Sequence, residues 1–265
     1  MPNLPQPTQN RLLNMLDARG EHIFISQLQL VNLLQDEVLY EAGSNLVYSY
    51  FPITAVISTI YQSSVGIALE TEAIRSDGIF GLPPMIDSQS ASRATVQSTG
   101  YAYRVQTSVL EEEIHRSNEL LQVLLMYLQL RSVKIAQISV CSRHHSIEQQ
   151  LCRVLLNALD YSFTNSIAIT QHTIAEKLNV RRESITLIAG HMQREGIIKL
   201  KRGKIIVLDR SALEAKTCEC YHVIANAANR LLAVPNTPAA NRFINQEQSF
   251  KPYGSLMSSS GLFST

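Results

Sequence analysis

The 265-residue sequence predicts an α+β fold in which an N-terminal β-sandwich is followed by a long helix and a winged helix-turn-helix unit. Three observations lead to this prediction. Short β-rich runs separated by turn residues fill positions 35–105, and a stretch of more than thirty residues without proline or glycine follows at 108–140. Two helical patterns, a tight turn and a hairpin then occupy 169–208. The predicted units are an N-terminal segment (1–27), the sandwich (28–107), the long helix (108–142), the helix-turn-helix unit (143–228) and a disordered tail (229–265).

Composition and charge describe an ordinary globular chain. It is 45% hydrophobic and has a net charge of +1, which supplies cores for two domains. The most apolar stretch, 120–130, is interrupted by Gln122 and Gln129 and is too short to span a bilayer. The N-terminus lacks the basic and apolar pattern of a secretory signal. We therefore expect a cytoplasmic protein without a membrane partner.

The region 28–107 is predicted to be a β-sandwich of the jelly-roll or double-stranded β-helix kind. Six runs of β-forming residues are separated by glycine, proline and an Asp-Gly pair. These runs are 37–40, 46–51, 56–62, 65–74, 94–98 and 101–105. No histidine occurs between Gln35 and Val105, which argues against an enzyme of the cupin type because its metal site needs clustered histidine and carboxylate ligands. We expect no enzymatic activity and no catalytic residue.

The helical stretch after the sandwich carries an apolar stripe at heptad spacing. Its members are Leu121, Leu124, Leu128, Ile135 and Ile138, with Arg131 as the interruption. A stripe of this length predicts a homodimer seam, although a helix that packs only on its own sandwich would also bury it. A break at 142–146 is predicted to be a hinge, and it leads into a further helix at 147–159.

The segment 169–208 has the order of elements typical of a DNA-reading unit. Small Ala175 stands where two crossing helices need a residue without bulk, and Asn179 falls at the turn, which requires a left-handed backbone. The second helix begins with Arg181 and Arg182, two cations at the positive end of the helix dipole. DNA phosphates would satisfy them, and so would guanine, which arginine reads through paired hydrogen bonds.

A basic hairpin, here called the wing, follows the second helix and turns at Arg202-Gly203. Between 181 and 210 the lysines and arginines exceed the acidic residues by five, in a chain of net charge +1. Lys201, Arg202 and Lys204 are therefore predicted to bind phosphate, and double-stranded DNA is the expected partner. Helical pairs with a small contact residue also occur in all-α domains, so the wing and its charge carry this interpretation.

The cysteines and paired histidines do not predict a metal site. Cys141, Cys152, Cys218 and Cys220 lack the C-x-x-C spacing of a zinc or iron–sulfur site. We expect free thiols that pack as small hydrophobic groups, with no metal and no cofactor. The pair His144-His145 is expected to pack or cap at the start of a helix.

The order of sandwich, long helix, hinge and winged helix-turn-helix resembles the CRP/FNR family of bacterial transcription regulators over 28–221. The strongest match is 169–205, where Arg182-Glu183-Ser184 resembles the Arg-Glu-Ser/Thr opening of the family's recognition helix. The resemblance implies that Arg182 reads guanine and Glu183 reads cytosine. It also places Ser184 near the bases or a phosphate and Thr170 near the DNA backbone. Leu187 stands where a further base-reading arginine is often found, so the operator is expected to differ.

The sandwich resembles the family's cyclic-nucleotide-binding module, whose Gly-Glu-Leu turn holds the ribose and whose arginine pairs with the cyclic phosphate. Here the turn is Phe80-Gly81-Leu82-Pro83, which lacks the carboxylate and loses one backbone donor to proline. Arg93, beside Ala94, aligns with the phosphate arginine. Gly81, Leu82, Arg93 and Ala94 are thus the candidate effector residues. The missing carboxylate argues against cyclic AMP and leaves another effector or a scaffold role open.

Together these features predict a homodimeric, sequence-specific DNA-binding transcription regulator that acts on inverted-repeat sites and has RNA polymerase as a further partner. A signal bound by the sandwich would reorient the two reading heads through the long helix and the hinge. The redox-sensing branch of the family is not indicated, since no cysteine precedes Cys141. The competing interpretation is a nucleotide- or metabolite-binding signalling module whose winged helix makes protein contacts. The basic excess and Arg181-Arg182 argue against it.

Overall fold

The computed structural model describes residues 4–62, 68–82, 89–90, 92–162 and 164–233. Most of the predicted disordered tail and Pro83 of the predicted effector turn lie outside these residues. The last described helix continues to Leu231, so the prediction that the tail begins at residue 229 is wrong. A helix near the N-terminus, α1 (Arg11–Ala18), is followed by the short α2 (His22–Ser26).

Seven described strands build the N-terminal sandwich as two antiparallel sheets. They are β1 (Gln29–Leu33), β2 (Val38–Tyr40), β3 (Tyr48–Pro52), β4 (Val56–Gln62), β5 (Ala68–Ile74), β6 (Arg93–Ser98) and β7 (Gly100–Gln106). One sheet has the order β1-β7-β3 and the other β2-β6-β4-β5. The six predicted runs correspond to β2 to β7. Strand β1 has no predicted counterpart, because most of its side chains are exposed or half-buried and its sequence lacks a clear alternation.

Aromatic rings fill the core of the sandwich. The centroid of the buried Tyr40 ring lies 5.8 Å from that of Phe80 and 6.4 Å from that of Tyr50. Burial raises the pKa of the Tyr50 phenol above its ordinary value. The Tyr40 hydroxyl accepts the backbone N–H of Val47 at 2.8 Å, which anchors the ring at its polar end. The interior of this sandwich is therefore packed with protein side chains.

The predicted single long helix is two helices, α3 (Thr107–Arg116) and α4 (Asn118–His144). Ser117 separates them, because its backbone is extended and its Oγ accepts the Leu120 backbone N–H at 3.0 Å as an N-cap. Since α4 continues to His144, the predicted hinge narrows to His145 and Ser146. His144 therefore ends one helix and does not begin the next.

The two faces of α4 have different surroundings. One face packs within the chain, against α1 and the C-terminal helix, through Leu120, Val123, Leu124, Tyr127 and Leu130. The other face exposes Leu125, Leu128, Ile135 and Ile138. The predicted stripe is wrong at Leu124, which belongs to the intrachain core, while Leu125 is 54% exposed.

By length and composition alone, α4 is apolar enough to cross a membrane. The core helix of a compact domain meets the same test, so this property alone does not indicate a membrane span. Two of its cations pair with acidic residues at the end of the sandwich: Arg131 with Glu72 at 2.8 Å, and Lys134 with Asp77. In this fold α4 is a core element with one uncovered apolar face.

The C-terminal unit contains five described helices and a three-stranded sheet. The helices are α5 (Ile147–Leu159), α6 (Gln171–Leu178), α7 (Arg182–Arg194), α8 (Arg210–Lys216) and α9 (Glu219–Leu231). The strands are β8 (Ser166–Ile167), β9 (Ile198–Lys201) and β10 (Lys204–Val207), in the order β8-β10-β9. The predicted helix at 147–159 and the predicted hairpin are confirmed. Helix α9 returns to pack along α4.

Candidate nucleic-acid interface

The helices α6 and α7 and the turn between them form the centre of the C-terminal unit. Helix α6 is capped by Thr170, whose Oγ1 accepts the Thr173 backbone N–H at 3.0 Å, and it ends at Asn179, which has a φ of 51°. Ala175 is buried, and its carbonyl accepts the Val180 backbone N–H at 3.0 Å. The left-handed turn and the small contact residue predicted from the sequence are confirmed.

The first turn of α7 presents charge to solvent. Arg181 is the N-cap residue but provides no side-chain cap, and Arg182 and Glu183 are exposed. Within the described part of the chain none of these three side chains forms an ion pair. Ser184 is half-buried behind them. Free backbone N–H groups and two unpaired cations make this turn suited to binding an anion.

Further along α7, an inward apolar face and an outward face are separated. The inward face consists of Ile185, Ala189 and Met192, which are buried. On the outward face Leu187 is 72% exposed. The Thr186 hydroxyl donates to Gln171 Oε1 at 2.8 Å and ties α7 to α6. Because most of the Leu187 side chain is uncovered by the described residues, it is available to contact a partner.

The wing places like charges opposite one another. Strands β9 and β10 pair with Lys201 facing Lys204, and Gly203 supplies the φ of 74° that the turn requires. Lys201, Arg202 and Lys204 are exposed, and no described acidic residue forms a salt bridge with them. Cross-strand like charges are unfavourable in the absence of a counter-ion. A polyanion bound to the wing would remove this cost.

The helix-turn-helix unit contacts the sandwich through a buried charge pair. Lys177 of α6 forms an ion pair with Glu70 of β5, and each side chain is 12% exposed. Burial lowers the pKa of the Lys177 ammonium below its ordinary value, although Glu70 opposes the shift. Beside this pair, a cavity of about 490 Å³ is lined by Ile60 and Glu70 on one side and by residues including Arg181 and Arg182 on the other. The sequence carries no signal for this contact, because a charged residue that will be paired looks like a solvated one.

Asp77, just after β5, connects three parts of the molecule. Its side chain is 3% exposed and pairs with Lys134 of α4, and the hydroxyl of Tyr161, which follows α5, hydrogen-bonds to it. Burial disfavours the carboxylate, but Lys134 together with Tyr161 outweighs it and holds the pKa of Asp77 below its ordinary value. Buried charge thus joins the sandwich, the long helix and the C-terminal unit.

The candidate effector residues each have contacts within the fold. Gly81 has a φ of 77°, and a Cβ there would lie 2.7 Å from the Tyr48 carbonyl oxygen, so glycine is needed for close packing. Leu82 packs against the core and Ala94 is fully buried. The Nε of Arg93 lies 3.3 Å from Glu41 Oε2. Four cavities lie elsewhere among the described residues, and none of these four is lined by a candidate effector residue.

Comparison with known proteins gives matches for the C-terminal unit and for the overall fold. Residues 149–216 match the family model of the Crp-like helix-turn-helix domain. No curated protein matches the sequence. Among solved structures, FixK2 from Bradyrhizobium japonicum has a TM-score of 0.64 and 14% identity, covering 72% of this chain and 98% of its own. A CRP-family transcriptional regulator from Thermus thermophilus has a TM-score of 0.60 and 16% identity, covering 70% of this chain and 95% of its own.

A third structural neighbour is CLP, the c-di-GMP responsive global regulator of Xanthomonas campestris. Its TM-score is 0.56 at 13% identity, and the match covers 72% of this chain and 99% of CLP. At these identities the likeness establishes the fold, and the family-model match concerns the C-terminal unit. The chain therefore carries a Crp-like helix-turn-helix domain and has the overall fold of the CRP/FNR transcription regulators.

Proposed function

We propose that this protein is a sequence-specific DNA-binding transcription regulator that acts as a homodimer on inverted-repeat sites. The observation that carries the proposal is a set of exposed cations that form no ion pair with a described residue: Arg181, Arg182, Lys201, Arg202 and Lys204. A single exposed cation has little effect on the stability of a fold. The concentration of these five at a helix start and a hairpin, however, matches the phosphate and base contacts of a winged helix.

Base reading is assigned to the outward face of α7. Arg182 has the reach and geometry to bind guanine, and Glu183 can accept a hydrogen bond from the amino group of cytosine. Leu187, which is 72% exposed, would lie against a thymine methyl group. Thr170 and Ser184 are assigned to phosphate or base-edge contacts near the start of each helix. These roles require α7 to enter the major groove by its N-terminal half.

The uncovered face of α4 supports the homodimer. Leu125, Leu128, Ile135 and Ile138 lie on one exposed stripe of a 27-residue helix. Pairing this stripe with a second copy would bury it and place the two reading heads about one DNA turn, roughly 34–36 Å, apart. Leu128→Lys should then yield monomers in light scattering, whereas Leu34→Lys, at another exposed leucine outside α4, should remain dimeric.

The contact of α6 with the sandwich supports a switching role for the N-terminal domain. The Lys177–Glu70 pair holds the reading head against β5, and the start of α7 faces the sandwich across a cavity. Release of this contact would free the head to meet DNA. The effector is unassigned, and cyclic AMP is not proposed because the turn at Gly81 lacks the carboxylate for ribose. We also propose RNA polymerase as a further partner and the cytoplasm as the location of the protein.

The decisive experiment is selection of bound sequences from a random duplex pool with the full chain. We expect enrichment of an inverted repeat with half-sites one helical turn apart, and binding that weakens steeply as salt rises. The same selection with Arg182→Ala should lose preference at one base pair in each half-site. No enrichment, together with duplex binding that barely responds to salt, would instead favour a signalling module whose winged helix contacts proteins.

A further inference from the structure

Four side chains with metal-binding atoms meet where the end of α4 approaches the start of α9. Cys141 lies in the last turn of α4 and His145 directly follows that helix, while Cys218 and Cys220 flank the first residue of α9. One ligand atom from each of the four residues lies within 4.8 Å of all the others. The fold therefore assembles a Cys₃His set that the spacing of the cysteines in the sequence does not reveal.

The distances fit one tetrahedral ion. Cys141 Sγ lies 3.6 Å from Cys218 Sγ, and Cys220 Sγ lies 3.4 Å from His145 Nδ1. With zinc bond lengths of about 2.3 Å to sulfur and about 2.0–2.1 Å to nitrogen, tetrahedral ligands lie roughly 3.5–3.8 Å apart. An iron–sulfur cluster spreads its ligands over two or four iron atoms and needs wider spacing than a common limit of 4.8 Å allows.

The site is closed and has outer partners for its ligands. Cys141, Cys218 and Cys220 are buried, which leaves no open position for water and indicates a structural ion. His145 Nε2 lies 3.2 Å from Glu219 Oε1, so a carboxylate orients the imidazole for coordination through Nδ1. Gln137 Nε2 donates to Cys220 Sγ at 3.1 Å, as hydrogen-bond donors do around metal thiolates.

A buried cation beside the cluster supplies an independent indication. Arg153 is 4% exposed, and its Nε donates to Cys141 Sγ at 3.2 Å. No carboxylate among the described residues forms a salt bridge with it. A buried guanidinium without a counter-charge is costly. Three thiolates around a divalent ion carry one net negative charge, which would provide the missing counter-charge next to Arg153.

We propose that Cys141, His145, Cys218 and Cys220 bind one Zn²⁺ ion that fastens the end of the long helix to the start of α9. Binding forms three Zn–S bonds and one Zn–N bond, and three thiol protons pass to solvent. The ion sits at the narrowed hinge formed by His145 and Ser146, so it fixes how the C-terminal unit leaves α4. This proposal is independent of DNA binding.

The test is the metal content of the full chain, purified under reducing conditions without added metal. Elemental analysis should find one zinc per chain, and exchange with Co²⁺ should give the strong visible bands of a tetrahedral thiolate site. Cys218→Ser should reduce bound zinc at least tenfold, whereas Cys152→Ala, at a buried cysteine outside the cluster, should retain it. Glu219→Gln should weaken zinc binding about 10–100-fold, as loss of an outer partner does.

Two outcomes would overturn the proposal. One is reduced wild-type protein that contains no zinc and gives no tetrahedral Co²⁺ spectrum. The other is a Cys141–Cys218 disulfide, found by mass spectrometry in metal-free protein that retains its thermal midpoint. If Cys218→Ser does not fold, the Co²⁺ spectrum of the wild-type chain decides the question without the variant.

Discussion

The first turn of α7 and the sandwich differ in whether their arginines have partners within the fold. Arg181 and Arg182 at the start of α7 are exposed and form no ion pair with a described residue. In the sandwich, Arg93 lies 3.3 Å from a carboxylate oxygen of Glu41, and the Arg104 guanidinium stacks 4.3 Å above the Tyr48 ring. The first turn of α7 thus keeps two cations available for an external anion, whereas these two arginines of the sandwich have partners within the fold.

The two regions also differ in how their interiors are filled. The core of the sandwich is occupied by aromatic rings, and Gly81 is held by close packing against Tyr48. The reading helix instead leaves Leu187 exposed. Under the proposed function, α7 offers an open surface to DNA, while the sandwich has a closely packed interior. Substitutions in the two regions should therefore affect different properties.

The largest effect on stability is expected from Asp77→Ala. This change leaves Lys134 near a buried site without its counter-charge, which should lower the free energy of unfolding by about 3–5 kcal/mol. The pKa of Asp77 is lowered in the folded state, so its contribution is present above the unfolded value of about 3.9 and disappears as pH falls through the folded pKa. Urea titrations of wild type and variant at neutral and acid pH measure both effects.

The control for Asp77→Ala is Glu112→Ala, whose side chain is 68% exposed and pairs only on the surface of α3. It should change stability by less than about 0.5 kcal/mol at any pH. Equal losses of stability for the two variants would show that the buried Asp77–Lys134 pair contributes no more to the free energy of unfolding than an exposed ion pair does.

Arg182→Ala should act on DNA affinity and leave stability unchanged. On the selected operator we expect a loss of about 1–3 kcal/mol and a relaxed preference at one base pair. Lys201→Ala is the matched control, since a phosphate contact should weaken all duplexes alike and reduce the salt slope by about one. Fluorescence anisotropy with specific and random duplexes separates the two. Equal losses on both duplexes for Arg182→Ala would remove its base-reading role.

Leu187→Arg should move specificity while largely preserving affinity. A guanidinium at this exposed position can pair with guanine, so preference at one base pair should move from thymine to guanine by on the order of 1 kcal/mol. Repeating the duplex selection with this variant measures the change, and Leu208→Arg, at an exposed leucine just after β10, is the control. An unchanged operator would place Leu187 outside the DNA contact.

Local patterns predict the parts of this molecule that depend on neighbours in sequence. The turn at Asn179 and the wing at Arg202-Gly203 follow from the backbone preferences of those residues, and β2 to β7 follow from short β-rich runs between turn residues. The sequence does not reveal the break at Ser117, because this serine caps the start of α4 and the break contains no proline or glycine. The Lys177–Glu70 pair and the meeting of Cys141 with Cys218 join distant segments, and single-sequence spacing carries no information about such contacts.

The smallest effect is expected from Arg93→Ala, the variant that tests the sandwich as a sensor. Its ion pair with Glu41 is half-exposed, so its loss should change stability by less than about 1 kcal/mol. Thermal shifts across a panel of cyclic AMP, cyclic GMP and cyclic di-GMP should be absent for wild type and variant alike. Arg116→Ala, at an ion-paired arginine outside the sandwich strands, provides the baseline. A nucleotide that stabilises wild type and Arg116→Ala but not Arg93→Ala would show that the sandwich, like the reading head, keeps a cation available for an anion, and the contrast between the two regions would no longer hold.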